Sequence, residues 1–82
     1  MKVYVHPHGT AIQKHYEELR AGGMDAAEAS AASRIVEVDW PWDIRLPVSG
    51  DYIEAEWAFG RVNYVAISVD AEKVGVVIKL EA

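Results

Sequence analysis

The chain has 82 residues, no cysteine and a formal net charge of −5, from 13 acidic and 8 basic residues. This length predicts a single domain over residues 1–82, because one small core needs most of it. The lack of cysteine excludes disulfides and thiolate chemistry, and it suits a reducing cytoplasm. No segment is apolar over the length of a signal sequence or a bilayer span. We therefore expect a cytoplasmic protein without a membrane partner.

The N-terminal segment predicts a strand and then a helix. Residues 2–5 alternate apolar and polar side chains, and Pro7 ends the alternation. Thr10 and Gln13 have the spacing of a capping box, which predicts a helix start, and Gly22 with Gly23 predicts its end. The expected buried stripe of this helix consists of Ile12, Tyr16 and Leu19.

A second helix is predicted after the two glycines. Asp25 and Glu28 repeat the capping pattern. The apolar residues expected on one face are Ala27, Ala31, Ile35 and Val38. The pattern leaves open whether residues 35–38 continue the helix or form a strand.

The C-terminal half has the period of strands. Residues 52–57 alternate, and turns are predicted at residues 59–61 and 70–73, with strands at residues 62–69 and 74–80. Short connections favour antiparallel pairing of these three strands in a meander. The predicted fold is α+β, with two N-terminal helices packed on a small antiparallel sheet in the order β-α-α-β-β-β.

The segment between Asp39 and Asp51 contains Pro41, Pro47 and Gly50 and predicts a loop, with a short strand around residues 44–46 as one alternative. It also carries two tryptophans, Trp40 and Trp42. Either both indoles cover the core of a small domain, or they contact a partner directly. Trp57 shares the core-facing side of its strand with Ile53 and Ala55.

The negative charge is concentrated between Glu37 and Glu56, where six acidic residues accompany the single base Arg45. This cluster is either a solvated surface or a contact surface for the basic groups of another protein. Under the second interpretation we expect a regulator or inhibitor of the phage or mobile-element type that occupies a basic, nucleic-acid-binding surface of its partner. The predicted contact residues are Asp39, Trp40, Trp42, Asp43, Asp51, Tyr52, Glu54 and Glu56.

The three histidines provide an alternative. His6 and His8 have HxH spacing and His15 follows on the first helix, so a small metal-binding or metal-dependent protein is the second hypothesis. The predicted site contains no metal and no cofactor. A nucleophile elbow and a glycine-rich phosphate loop are both absent from the sequence, which predicts no enzymatic activity.

The charge distribution also bears on nucleic-acid binding and on self-association. The acidic balance and the scattered bases predict no direct nucleic-acid binding. The sequence also leaves a homodimer as an alternative. Residues 74–80 carry little charge, and an exposed strand of this composition can pair with a second copy.

Overall fold

The computed structural model describes residues 1–69 and 74–81, and in them two helices accompany a five-stranded sheet. The elements are β1 (Lys2–His6), α1 (Gly9–Ala21), α2 (Ala26–Ala32), β2 (Val36–Asp39), β3 (Tyr52–Ala55), β4 (Ala58–Val69) and β5 (Val74–Glu81). This confirms the α+β class. Residues 44–46 form no strand, and the predicted turn at residues 70–73 lies outside the described residues.

The sheet is mixed rather than antiparallel, which corrects the predicted arrangement. Its strand order is β2-β1-β5-β4-β3, and β1 runs parallel to β5 with Val3 opposite Val76. The other neighbouring strands are antiparallel, including the predicted meander of β3, β4 and β5. The parallel pair is feasible because the long connection between β1 and β5 contains both helices and three strands.

The ends of the helices only partly follow the predicted capping patterns. The Asp25 carboxylate accepts a hydrogen bond of 3.0 Å from the backbone N–H of Glu28, as predicted for α2. The prediction for α1 was wrong, because its N-cap is His8, which makes no side-chain cap bond. The Gln13 amide instead donates to Glu17 one turn later. Gly22 caps the C-terminus of α1 as predicted.

The buried face of α2 also differs from the predicted one. Ala29 and Ser33, four residues apart, are fully buried, whereas Ala27, Ala31 and Ile35 are exposed. The helix ends before Ser33, and β2 begins at Val36. Because α2 has only seven residues, its packing against neighbouring segments determines which alanine is buried.

The core lies on one face of the sheet. Its buried strand residues are Val3, Val5, Val36, Ala58, Val62, Val76, Ile78 and Leu80. Trp40 and Leu46, from the loop between β2 and β3, pack against this cluster, as do Ile53, Ala55 and Trp57. The opposite face includes the exposed rings of Tyr52, Phe59 and Tyr64. The loop between β2 and β3 therefore covers part of the core.

The turn between β3 and β4 lies at Glu56 and Trp57, not at the predicted residues 59–61. Glu56 has a φ of 53°, in the left-handed region that favours glycine. Gly60 lies inside β4 with a φ of 151°, and a Cβ there would be 3.0 Å from the carbonyl oxygen of Glu81. Gly60 thus allows a close approach of two strands rather than a turn.

The exposed sheet edges also differ from expectation. Strand β5 is the central strand, paired with β1 and β4, so residues 74–80 are not the exposed strand considered for self-association. The exposed segment is instead in β4. Strand β3 pairs with β4 only from Ala58 to Arg61, and residues 63–69, which contain no charged side chain, have no strand on that side in the described part of the chain.

Candidate functional site

The loop after β2 forms a braced turn, residues 41–44, which we call the Trp42 turn. The backbone N–H of Ile44 donates to the carbonyl of Pro41 at 3.1 Å, placing Trp42 and Asp43 at the centre of a β-turn. Beneath it, the indole N–H of Trp40 donates to the carbonyl of Ile44 at 3.0 Å. Because Trp40 packs against the core, it fixes the turn to the body of the domain.

The Trp42 turn presents an apolar surface to solvent. The side chain of Trp42 is 90% exposed, and those of Ile44 and Val48 are more than half exposed. The two indoles therefore have opposite roles, since Trp40 covers the core and Trp42 does not. The core-covering interpretation therefore holds for Trp40 alone, and a partner contact by Trp42 stays a prediction.

Carboxylates accompany the exposed indole. Asp39 is exposed at the end of β2, and Asp43 is exposed beside Trp42 in the turn. Neither carboxylate has an ion-pair partner within residues 1–69 and 74–81. By contrast, Glu37 forms an ion pair of 2.6 Å with Lys2, and this pairing raises the pKa of Lys2 above its ordinary value. The charge of Asp39 contributes to the same shift without forming an ion pair with Lys2.

The far end of the loop is held by hydrogen bonds. The Asp51 carboxylate accepts from the backbone N–H of Val48 at 2.9 Å. Two backbone bonds then attach the loop to β4: Gly50 N–H to the Val62 carbonyl at 2.8 Å, and Val62 N–H to the Asp51 carbonyl at 2.7 Å. The Asp51 side chain is thus engaged in holding the loop.

The predicted contact residues do not all lie together. Asp39 ends β2, whereas Tyr52 and Glu54 lie on β3, and these two strands are opposite edges of the sheet with three strands between them. Tyr52 and Glu54 are exposed on the face opposite the core, as their alternation predicted. Glu56 is in the β3–β4 turn. The structure therefore groups Asp39, Trp42 and Asp43 apart from the β3 residues.

A second feature is a cavity of about 460 Å³ between α1 and the β3–β4 turn, which we call the α1 cavity. It is lined by His8, Thr10, Ala11, Lys14, His15, Glu18, Glu56, Trp57 and Phe59. The rings of His15 and Trp57 stack at its wall. On the helix side, Nδ1 of His15 is 3.2 Å from the hydroxyl oxygen of the fully buried Ser33.

The histidines do not form a metal centre in this arrangement. Among residues 1–69 and 74–81, no three His, Cys, Asp or Glu side chains are grouped so that they could hold a metal ion. His8 and His15 line the α1 cavity, but His6 does not. The buried Nδ1 of His8 also has no hydrogen-bond partner in the described structure.

Sequence reasoning did not identify the α1 cavity. Ser33, which holds His15 at its wall, is fully buried. Its spacing of four from Ala29 was a usable signal for a buried helix face. The stack of His15 on Trp57 joins residues 42 positions apart, and no local pattern in the sequence indicates it.

Comparisons with known proteins do not extend these observations. No protein-family model, no curated protein and no solved structure matches the chain. In the part of the chain that the structure describes, no helix has the length and apolar character needed to cross a membrane.

Proposed function

We propose that this protein is a non-enzymatic regulator or inhibitor that binds another protein through the Trp42 turn. The observation that carries the proposal is an indole 90% exposed on a turn that is braced from below by Trp40. The partner is expected to offer an apolar pocket bordered by lysine or arginine side chains. If those basic groups normally bind nucleic acid, the bound regulator blocks them.

Tryptophan suits the anchoring role because it combines a large apolar area with few rotatable bonds and is enriched among residues that dominate binding energy. The bracing hydrogen bonds of the turn reduce the conformational entropy lost on binding. An indole left in water on a rigid turn contributes nothing evident to the core. Its burial in a partner would remove this exposed apolar area from solvent.

The carboxylates of Asp39 and Asp43 supply charge complementarity. Exposed charges around an apolar anchor mainly accelerate association and orient the partner, and salt screens their effect. Their contribution is therefore separable from that of Trp42. We expect the indole to determine the dissociation rate and the carboxylates to influence the association rate.

The experiment is an affinity capture from the source cells with wild type, Trp42→Ala and Tyr52→Ala, followed by binding kinetics with the captured protein after purification. Tyr52 is a matched control, because it is an exposed aromatic residue on the opposite edge of the sheet. Trp42→Ala should weaken binding roughly 30-fold or more, the effect of a residue at the centre of an interface. Tyr52→Ala should bind like wild type.

A combined Asp39→Asn and Asp43→Asn variant should slow association and reduce its dependence on salt, with little change in dissociation. Thermal unfolding of each variant checks that the fold is retained. Equal loss of binding in the Trp42 and Tyr52 variants would contradict a site centred on the turn. Unchanged binding by Trp42→Ala would exclude it.

A further inference from the structure

The α1 cavity has the dimensions and walls of a small-molecule site. Its volume of about 460 Å³ lies in the range of ligand pockets, which are mostly apolar with a few polar groups. Trp57 and Phe59 line part of the cavity, and Phe59 is about half exposed. A planar ligand can contact such rings over a large area.

The charges around the cavity favour a cation. The charged residues that line it are Lys14 and Glu18 on α1 and Glu56 in the β3–β4 turn, and their formal charges sum to −1. Glu56, on the opposite wall, has no ion-pair partner among the described residues. One carboxylate beside aromatic rings therefore remains uncompensated, which is an arrangement that attracts organic cations.

The backbone of Glu56 supports this assignment independently. Its φ of 53° is uncommon for a residue with a side chain and costs about 1–2 kcal/mol relative to ordinary backbone. Glycine would fit the same turn without that cost. The chain instead holds a carboxylate there, and strained residues of this kind concentrate at ligand-binding sites.

The wall of the cavity at His15 is rigid. The His15 ring is held on one side by the stack with Trp57, with ring centroids 4.1 Å apart and planes 4° from parallel. It is also held by the contact of its Nδ1 with Ser33, which is fully buried. A wall fixed by packing and a buried hydrogen bond maintains the shape of the cavity before a ligand enters.

From these observations we infer that the α1 cavity binds a small planar organic cation, with an aromatic amidine as the chemical class. The ligand's ring lies against Trp57, and its cationic group lies at the carboxylate of Glu56. This inference does not depend on the Trp42 turn, which belongs to a different loop.

The test uses three probes of nearly the same shape: benzamidine, which is a cation, benzamide, which is neutral, and benzoate, which is an anion. Binding is followed by amide chemical shifts in a two-dimensional ¹H–¹⁵N NMR titration. A nine-atom ligand in a site of this kind is expected to bind with a Kd of about 1 mM. Benzamidine should shift amides of residues 56–59 and of the first turns of α1, and the other two probes should bind at least about tenfold more weakly.

The variant Glu56→Gln should weaken benzamidine binding about tenfold and leave benzamide binding unchanged. Glu54→Gln is the matched control. It removes the same charge from a side chain that is two residues away and does not line the cavity. It should retain wild-type affinity. Both substitutions keep a side chain of the same length, so the turn is preserved.

Three results would overturn the inference. They are equal binding of the cation and the anion, equal effects of the two glutamine variants, and no shifts at residues 56–59 with 10 mM benzamidine, about ten times the expected Kd. Trp42→Ala should bind benzamidine like wild type. The outcome is therefore independent of the protein-binding proposal.

Discussion

The imidazole of His15 is held between two parts of the chain: its ring stacks on Trp57, and its Nδ1 contacts the hydroxyl of Ser33. The first contact joins α1 to the β3–β4 turn, and the second joins α1 to the end of α2. His15 thus links α1, the β3–β4 turn and the end of α2. Within the described residues, no backbone hydrogen bond of a helix or strand joins these three segments.

Removal of the Ser33 hydroxyl should destabilise the fold. Ser33→Ala leaves the partly buried Nδ1 of His15 without its partner, and we expect a loss of about 1 to 2 kcal/mol in the free energy of unfolding. Urea denaturation measures it. Ser30→Ala is the control, since Ser30 is exposed on the same helix and alanine is the better helix former, so its effect should stay within about 0.5 kcal/mol.

The buried face of α2 can be tested in the same way. Ala29→Leu forces extra atoms into a position with no exposed surface, and we expect a loss of about 2 kcal/mol of stability. Ala27→Leu places the same side chain on the exposed side and should change stability by no more than about 0.5 kcal/mol. Similar losses in both variants would show that the assigned face is incorrect.

The Lys2–Glu37 ion pair predicts a pH dependence at alkaline pH. The hydrogen bond that the Lys2 ammonium donates to the Glu37 carboxylate, followed by the charge of that carboxylate, raises the pKa of Lys2 above 10.5. The folded state therefore holds this proton more tightly than the unfolded chain does. The resulting stabilisation is complete below pH 10.5 and is lost as the pH rises through the elevated pKa.

Thermal unfolding of wild type and Lys2→Gln between about pH 9 and pH 12 measures this effect. The difference between the two proteins should shrink toward the alkaline end. In a Glu37→Gln background, the difference should already be small at pH 9. A difference that grows with pH would contradict the role of the pair.

The uncharged edge of β4 predicts self-association. Antiparallel pairing of residues 63–69 with the same segment of a second copy would centre on Ala66 and add main-chain hydrogen bonds without bringing charges together. We expect the mass of the wild-type protein in solution to rise with concentration. Sedimentation equilibrium measures it.

Ala66→Lys should abolish this association, because the introduced ammonium groups of the two copies would lie opposite each other. The control is Ala27→Lys on the exposed side of α2. Both substitutions make the net charge less negative, so general repulsion between copies falls equally in both. Association retained by both variants would place the contact elsewhere.

The part of the fold that local chemistry determines was predictable. The Asp25 cap of α2 depends on residues three apart, and the alternation of Tyr52 and Glu54 correctly placed both on the face away from the core. The turn was misplaced for a physical reason. Gly60 serves a close approach to Glu81, whereas the backbone at Glu56 adopts a conformation that its residue type does not indicate.

The α1 cavity was not predictable because its walls come from distant segments. The Trp42 turn was partly predictable, since the sequence identified two exposed-looking indoles but not which of them covers the core. That distinction depends on the hydrogen bond from Trp40 to Ile44 and on the packing of Trp40 against strands far away in the sequence.

The parallel pairing of β1 with β5 constrains how the domain can form. Val3 lies opposite Val76, so β1 can pair with β5 only when a segment more than seventy residues later is present. Contacts of such sequence separation slow folding, because the intervening chain must be closed into a loop first. During synthesis on the ribosome, one edge of β1 therefore stays unpaired until residues 74–81 have emerged.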